Sequence, residues 1–523
     1  MKKKITSILL SFLVNSSFAQ NDGDMLRYSM LNFGGTGRSL GMANSFGALG
    51  ADMSSTTTNP AGLGLYRSGE ISASLGFNNR YANDKLFNES KESSQFKMAF
   101  GNAGMLWHFE NKNYSKWKGW TFAMAYNQTN NFSSNNFASG FNAENSILHS
   151  FCEELGKLDP SLNVVDNIQT YSAYTAYSAY NGNNAANLSS DYPFDIDLAW
   201  QTFLIDSVNT NTGQTYYFNA VPFGGVQQSK RTTTRGGQGE FDITLANNFE
   251  NKLFFGITIG FASVNFNQTT NWREYDSQDS IPGFYSLDYN TELNTTGSAV
   301  NFKFGVIYKP IDAMRIGVAF HTPSSYLLTD DYSSTINAKL ESSIGGLIEN
   351  DYASPLSIPF QYRIMTPLKL IGSIAGLTSK VGAINLDYEY NDYSKGSVYS
   401  NDASINPYFN DAREAIKIKY QATHTIRAGA EAILNNWRLR CGASYSTSPF
   451  KSQFRLNTFS DLSKKTFTTG FGYKGERYFF DMAIAYSIFG SVEKQYVLEN
   501  GNEGLIESNF NDTRVLFTFG KKF

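Results

Sequence analysis

From residue 70 to the last residue, apolar and polar side chains alternate with a period of two. Ile71, Ala73, Leu75 and Phe77 fall on one face, and Ser72, Ser74, Gly76 and Asn78 on the other. Successive side chains of a strand point to opposite sides, so this pattern predicts strands with one apolar and one polar face. It recurs along the chain. Phe241, Ile243 and Leu245 alternate with Glu240, Asp242 and Thr244; Val300, Phe302, Phe304 and Val306 alternate with Asn301 and Lys303. Tyr362, Ile364, Leu368 and Leu370 oppose Arg363 and Lys369. Met314, Ile316 and Val318 oppose Arg315, and Leu386, Tyr388 and Tyr390 oppose Asp387 and Glu389. Ile426, Ala428 and Ala430 oppose Arg427 and Glu431, and Val515, Phe517, Phe519 and Phe523 oppose Arg514, Thr518 and Lys522. The count is about fourteen, an even number as single-chain bacterial barrels require.

The connections alternate as well. Asn111–Lys118, Asn248–Lys252, Lys309–Ala313, Leu377–Lys380, Leu434–Asn436 and Lys474–Arg477 are short. Arg80–Gln95, Phe132–Arg235, Gln268–Gly297, Thr322–Ile358, Ser394–Lys419, Ser446–Lys464 and Val492–Asn511 are long. Short periplasmic turns and long outer loops are the habit of outer-membrane barrels. A soluble sandwich would also give strands with one apolar face. It would not place Arg, Asp and Glu on the second face of nearly every strand, whereas a wet or ion-paired lumen accepts them. Composition agrees: aromatics make up 15% and charged residues only 17%, against about 25% in an average soluble domain. No apolar run reaches the length of a membrane helix, and a net charge of -3 gives no sign of nucleic acid as a partner. The fold class expected is all-β, a transmembrane antiparallel barrel with long extracellular loops.

The amino terminus addresses the chain. Lys2, Lys3 and Lys4 precede an apolar core from Ile5 to Val14, and Ser17-Phe18-Ala19 forms a small-x-small cleavage site. Residues 1–19 therefore read as a secretory signal peptide, 20–69 as a plug segment and 70–523 as the barrel, with 132–235 as a large, partly helical outer insertion. The glycines between Gly35 and Leu65 are not a dinucleotide loop. That fingerprint needs a preceding strand, a following helix and an acidic residue further on. Here polar Ser and Thr residues follow instead.

The run GRSLGMANSFGALGADMSSTTTNPAGL resembles the amino-terminal hatch of the FadL/TodX family, outer-membrane transporters of hydrophobic compounds. Gly37, Arg38, Gly41, Ala43 and Phe46 match its Gly-Arg-x-x-Gly segment, and Asn59, Pro60, Ala61 and Gly62 its Asn-Pro-Ala motif. LDYEYNDYS (Leu386–Ser394), TIRAGAE (Thr425–Glu431) and LRCGASYSTSP (Leu439–Pro449) are similar to later strands of Bacteroidetes-type members. The resemblance implies a fourteen-strand barrel in the outer membrane of a Gram-negative cell, with its amino-terminal segment folded into the lumen. It implies passive uptake of a hydrophobic small molecule or lipid, such as a long-chain fatty acid or an aromatic hydrocarbon. The steps would be loop capture, lumen binding, hatch rearrangement and lateral exit. Arg38, Phe46, Asn59, Pro60 and Ala61 then become candidate gating residues. Outer-membrane lipids and the barrel-assembly machinery are the implied partners, and a monomer the implied state.

Charged residues of the polar faces, Arg315, Arg363, Asp387, Glu389, Arg427 and Glu431, read as a lumen network holding the plug. In the insertion, NSILHSFCEEL (Asn145–Leu155) and DIDLAWQTFLID (Asp195–Asp206) have helical spacing. Tyr171, Tyr174, Tyr177 and Tyr180 recur every third residue between them. With Trp200 and Phe203 they form either a self-packed cap or a groove that captures apolar ligands. His108, His149, His321 and His424 show no metal-ligand spacing, Cys152 and Cys441 stand far apart, and no nucleophile motif is present. No catalytic residue, metal or cofactor is expected. A barrel that binds a secreted or surface protein through its loops, and a haem-uptake receptor, are the competing readings.

Overall fold

The structure is a computed structural model. It describes residues 21–523 except 33, 112–115, 159–161, 165–193, 210–214, 342–345, 355–358, 379–380, 453–461 and 499–503. Residues 1–19, assigned to the signal, and the four regularly spaced tyrosines lie outside the described residues.

Among the described residues, fourteen antiparallel strands close into one barrel. They are β1 (Glu70–Leu86), β2 (Glu89–Glu110), β3 (Trp117–Asn131), β4 (Val226–Phe249), β5 (Leu253–Tyr275), β6 (Phe284–Ile311) and β7 (Met314–His321). The ring continues with β8 (Lys369–Thr378), β9 (Gly382–Asp392), β10 (Ala422–Leu434), β11 (Trp437–Ser446), β12 (Lys464–Lys474), β13 (Tyr478–Lys494) and β14 (Leu505–Lys522). β14 returns to β1 in register from Glu70↔Lys522 to Leu86↔Ile506, which closes the sheet and leaves no edge. No helix among the described residues is long and apolar enough to cross a membrane.

The alternation fixes which face is out. Phe302 and Phe304 are 41% and 43% exposed, while Lys303 between them is 4% exposed. Apolar rings in this number on the outside would be untenable in water and suit a bilayer.

Several links read from the sequence as long loops are strands that continue past the membrane. β1 and β2 stay paired from Arg80↔Gln95 to Leu86↔Glu89. β5 and β6 stay paired to Ser286↔Tyr275, and β13 and β14 to Lys494↔Leu505. In these stretches one face is covered by the cap and loops, as at Leu86, Trp272 and Leu287, and the other meets water, so the lipid-facing apolar row disappears while the hydrogen-bond ladder persists. Further strands extend the outer end. Ser134–Asn142 pairs with the outer half of β4, and Ser325–Glu341 with that of β6.

The insertion forms a cap. Helices Ile147–Leu158 and Phe194–Gln201 pack with Leu204, Ile205 and Val221 on Trp272, Leu287 and Ile336 of the extended strands.

Candidate functional site

The amino-terminal segment occupies the lumen in two parts. The lower part is a chain of short turns, each with its own cap. The Thr36 side chain accepts from Ser39 N and starts Gly37–Leu40; Asp52 starts Met53–Thr56; Asn59 accepts from Ala61 N and starts Pro60–Leu65, with proline in its first turn. Glycines on the wall let the plug approach. A Cβ on Gly305 would stand 1.9 Å from Asn59 Oδ1, and one on Gly256 2.2 Å from the Pro60 carbonyl carbon. At Gly256 backbone meets backbone, and at Gly305 the Asn59 side chain lies on the wall backbone; at either position a side chain would collide.

Ionised groups fix this lower plug to the wall. Arg38 donates to Glu431 at 3.1 Å and to the Ala51 carbonyl at 2.8 Å. Arg440 bridges Glu431 at 2.7 Å and Asp481 at 2.6 Å. Asp387 accepts from the backbone N–H groups of Phe46 and Gly47 at 2.9 and 3.1 Å. Asn59 donates to the Gly47 carbonyl at 2.6 Å, and the Arg38 guanidinium lies 5.1 Å from the Phe46 ring centre. Arg315 donates to the Leu49 carbonyl. Glu389 and Arg427 pair at 2.9 Å higher in the lumen, with Lys369 also on Glu389.

Arg363 does not belong to this set. Its neighbours Tyr362 and Ile364 are 1% and 0% exposed against the amino-terminal helix, which turns Arg363 to the opposite face. The apolar residues of that strand face inward because the strand lies on the outer extension, where plug rather than lipid supplies the apolar partner.

The upper part is the helix Asn21–Ser29, set across the outer mouth. Met25, Leu26 and Tyr28 bury against Phe132, Phe266, Tyr362, Phe409 and Ile416. Lys419 and the Tyr420 hydroxyl both reach the Asp22 carboxylate, at 3.0 and 3.1 Å, and the Tyr362 hydroxyl donates to Asp24 at 3.2 Å.

Between the two parts the chain passes through a break in the wall. β2 and β3 pair from Glu110↔Gly119 only as far as Asn102↔Asn127. Beyond that point β2 continues with β1, and β3 with β4. The amino-terminal segment takes up the vacant edge: Asn32 N donates to Thr129 O at 2.7 Å, and Gly34 N to Gln128 O at 2.8 Å. Asn130 Nδ2 donates to the Met30 carbonyl at 2.9 Å. A Cβ on Gly34 would lie 2.7 Å from Gly101 O, so only glycine lets the two backbones pass. Phe96, Met98 and Tyr126 are exposed on the lipid side around this break.

A cavity of about 630 Å³ lies inside it, lined by Leu26, Met30, Asn130, Phe132, Phe266, Lys464 and Arg514 among others. None of the four histidines is in its lining. Trp200 packs 6.0 Å from Tyr217 within the cap, and Phe203 is 48% exposed at a φ of 61°; neither lines the cavity. The roles of Arg440, Asp481, Asn32 and Gly34 are not legible in the sequence. No charge or motif distinguishes a strand edge that another segment completes.

Residues 165–512 match the family described as outer membrane protein transport protein (OMPP1/FadL/TodX). A crystal structure of a Pseudomonas aeruginosa FadL homologue has a TM-score of 0.51 at 10% identity, over 94% of this chain and 98% of that one. The toluene transporters TodX of Pseudomonas putida and TbuX of Ralstonia pickettii give 0.49 and 0.48 at 11% and 13% identity. They cover 93% and 94% of this chain and 97% and 99% of theirs. At these identities the likeness is one of fold. No curated protein matches the sequence.

Proposed function

The chain belongs to the OMPP1/FadL/TodX family of outer-membrane transport proteins, and from that premise we propose that it passively admits a hydrophobic small molecule and releases it sideways into the bilayer. Long-chain fatty acids and aromatic hydrocarbons are the kinds of passenger this reading covers. The cap and outer strands capture the molecule, the cavity beneath the amino-terminal helix receives it, and the break between β2 and β3 is the exit. A lipophile has little to gain from an aqueous pore. It gains about 0.8 kcal/mol for each CH₂ that leaves water for an apolar pocket or the membrane.

The observation that carries the reading is the interrupted β2–β3 ladder, stoppered by Met30–Gly35 from the same segment that fills the lumen. An axial pore would need only the lower plug. A stopper in the wall, beside a cavity and facing lipid, is what lateral release requires. Arg38, Phe46, Asn59, Pro60 and Ala61 hold the lower plug in this scheme. Shortening the stopper tests it: removing Asn32, Phe33 and Gly34 should speed entry of a fluorescent fatty acid into cells and leave the ion conductance of the purified barrel near that of the parent. Raised conductance with unchanged entry would place the path along the axis instead.

A further inference from the structure

The outer extension ends in an open edge. Strand Ser325–Glu341 pairs on one side with the outer half of β6, from Phe284↔Leu340 to Ser298↔Leu327. On its other side the upper part carries the strand Leu347–Ala353, from Glu341↔Leu347 to Thr335↔Ala353. Among the described residues no further strand pairs with Leu347–Ala353. Ser354 N donates to Ser334 O at 2.8 Å. Bonded and non-bonded pairs alternate in an antiparallel ladder, so Tyr352, Asn350 and Ile348 turn their backbone groups to the sheet. Leu347, Glu349, Asp351 and Ala353 turn theirs to the open side.

The two faces of this edge differ. On the inner face Ile336, Ala338 and Leu340 are buried under the cap. Ile348 and Tyr352 prolong that apolar face to the edge, where they are 50% and 40% exposed. On the outer face Glu349 and Asp351 accept from the Asn337 side-chain amide at 2.8 and 2.6 Å, and Lys339 reaches Glu349 at 3.5 Å. Glu341 and Asp288 share that face, with Arg273 3.7 Å from Asp288. The carboxylates of this group outnumber its cations, and Asp351, at the rim, is met only by a neutral amide among the partners named.

A row of unpaired N–H and C=O groups is a template for another strand. The side chains of an added strand would stand opposite those of the edge. Apolar ones would cover Ile348 and Tyr352, and cationic ones would meet Glu349 and Asp351. A second copy of this chain would bring the same carboxylates to the same place, where like charges repel.

We propose that Leu347–Ala353 takes up, on the outer side of the membrane, an extended segment of another protein in which cationic and apolar side chains alternate. It docks as an added antiparallel strand. Such docking is independent of what the barrel transports.

The probe is a labelled heptapeptide of alternating valine and lysine. Its binding is read by fluorescence anisotropy on the full chain in nanodiscs of zwitterionic lipid, at about physiological salt so that exposed charges are screened. Two control peptides separate charge from backbone pairing. One carries glutamate for lysine. The other is N-methylated at its lysine amides, the groups that would bond to the backbone of Glu349 and Asp351. Each should bind about tenfold more weakly than the probe. Asp351→Pro removes an N–H that faces the open side and leaves the ladder to Ser325–Glu341 intact. It should weaken the probe to a similar extent, with barrel folding checked by circular dichroism. Glu349→Lys with Asp351→Lys should reverse the preference towards the glutamate peptide, which tests the edge even if the proline variant does not fold. An N-methylated peptide that binds as tightly as the probe, or a probe that does not bind the parent, overturns the added strand. Parent barrels that pair in native mass spectrometry, and separate when Glu349 and Asp351 are replaced, give the edge to a second copy and overturn the cationic partner.

Discussion

The lower plug and the strip that stoppers the wall belong to one continuous segment, yet they are held by different forces. Thr36–Tyr66 is fixed by ionised groups: Arg38 on Glu431, Asp387 on two backbone N–H groups, and Arg440 behind them. Each hydrogen bond to an ionised partner contributes about 1.5–3 kcal/mol net. Among the described residues, Met30–Gly35 is held by two neutral backbone bonds to β3 and one side-chain amide, each worth about 0.5–1.5 kcal/mol. The strip should therefore yield first. In the lateral-release reading proposed above, the path would open while the lower plug still kept ions from crossing.

Breaking the stronger half should have the largest effect. Deleting Gly35–Ala61 should leave a folded barrel with much higher single-channel conductance, because the plug and not the wall closes the lumen. A deletion mutant that folds and conducts like the parent would remove the plug from the account. Next comes Arg38→Ala, which strands Glu431 with Arg440 alone and removes the Ala51 contact. Losing one partner of a buried pair costs about 3–5 kcal/mol; since Arg38 is about one-fifth exposed, the low end is expected. Hydrogen exchange should show faster opening of residues 36–51, with Met30–Gly35 less affected.

A smaller effect is expected outside. Replacing Tyr171, Tyr174, Tyr177 and Tyr180 by serine should weaken ligand capture without preventing barrel assembly, since they fall in the sequence between β3 and β4. Unchanged affinity in a folded mutant would make them cap packing. The smallest effect concerns pH. Burial, with Asp24 close by, pushes the Asp330 carboxyl up to about 7. Asp330 stands on an outer extension whose strands carry exposed Asn267 and Glu292. A carboxyl raised above its ordinary value favours the docked state when protonated, and that advantage is lost as pH rises through 7. The protection factors of the Asn21–Ser29 helix, which remove the intrinsic pH dependence of amide exchange, should fall as pH rises towards 7 and level off above it, and Asp330→Asn should flatten that dependence.

The alternation made the barrel readable wherever one face meets lipid, as at Phe302-Lys303-Phe304. Past the membrane the same strands lose the lipid-facing apolar row, so Arg80–Gln95 looked like a loop although it is a paired ladder. On the outer extension the rule inverts. Tyr362 and Ile364 turn inward to the amino-terminal helix, and Arg363, expected in the lumen, turns away. At the candidate site, Gly37–Phe46 and Asn59–Ala61 carry a motif and could be placed. Asn32 and Gly34 act through backbone N–H groups, which every residue but proline has, so nothing in their side chains announces the wall contact.

That contact is also the place to test the account. Asn32 N donates to Thr129 O at 2.7 Å, the spacing of paired strands, at which a disulfide between Asn32→Cys and Thr129→Cys can form, with Cys152 and Cys441 replaced by serine. Uptake of a fluorescent fatty acid by cells carrying this barrel should stop under oxidising conditions and return on reduction. Uptake at the parental rate with the bridge formed would contradict release through the wall.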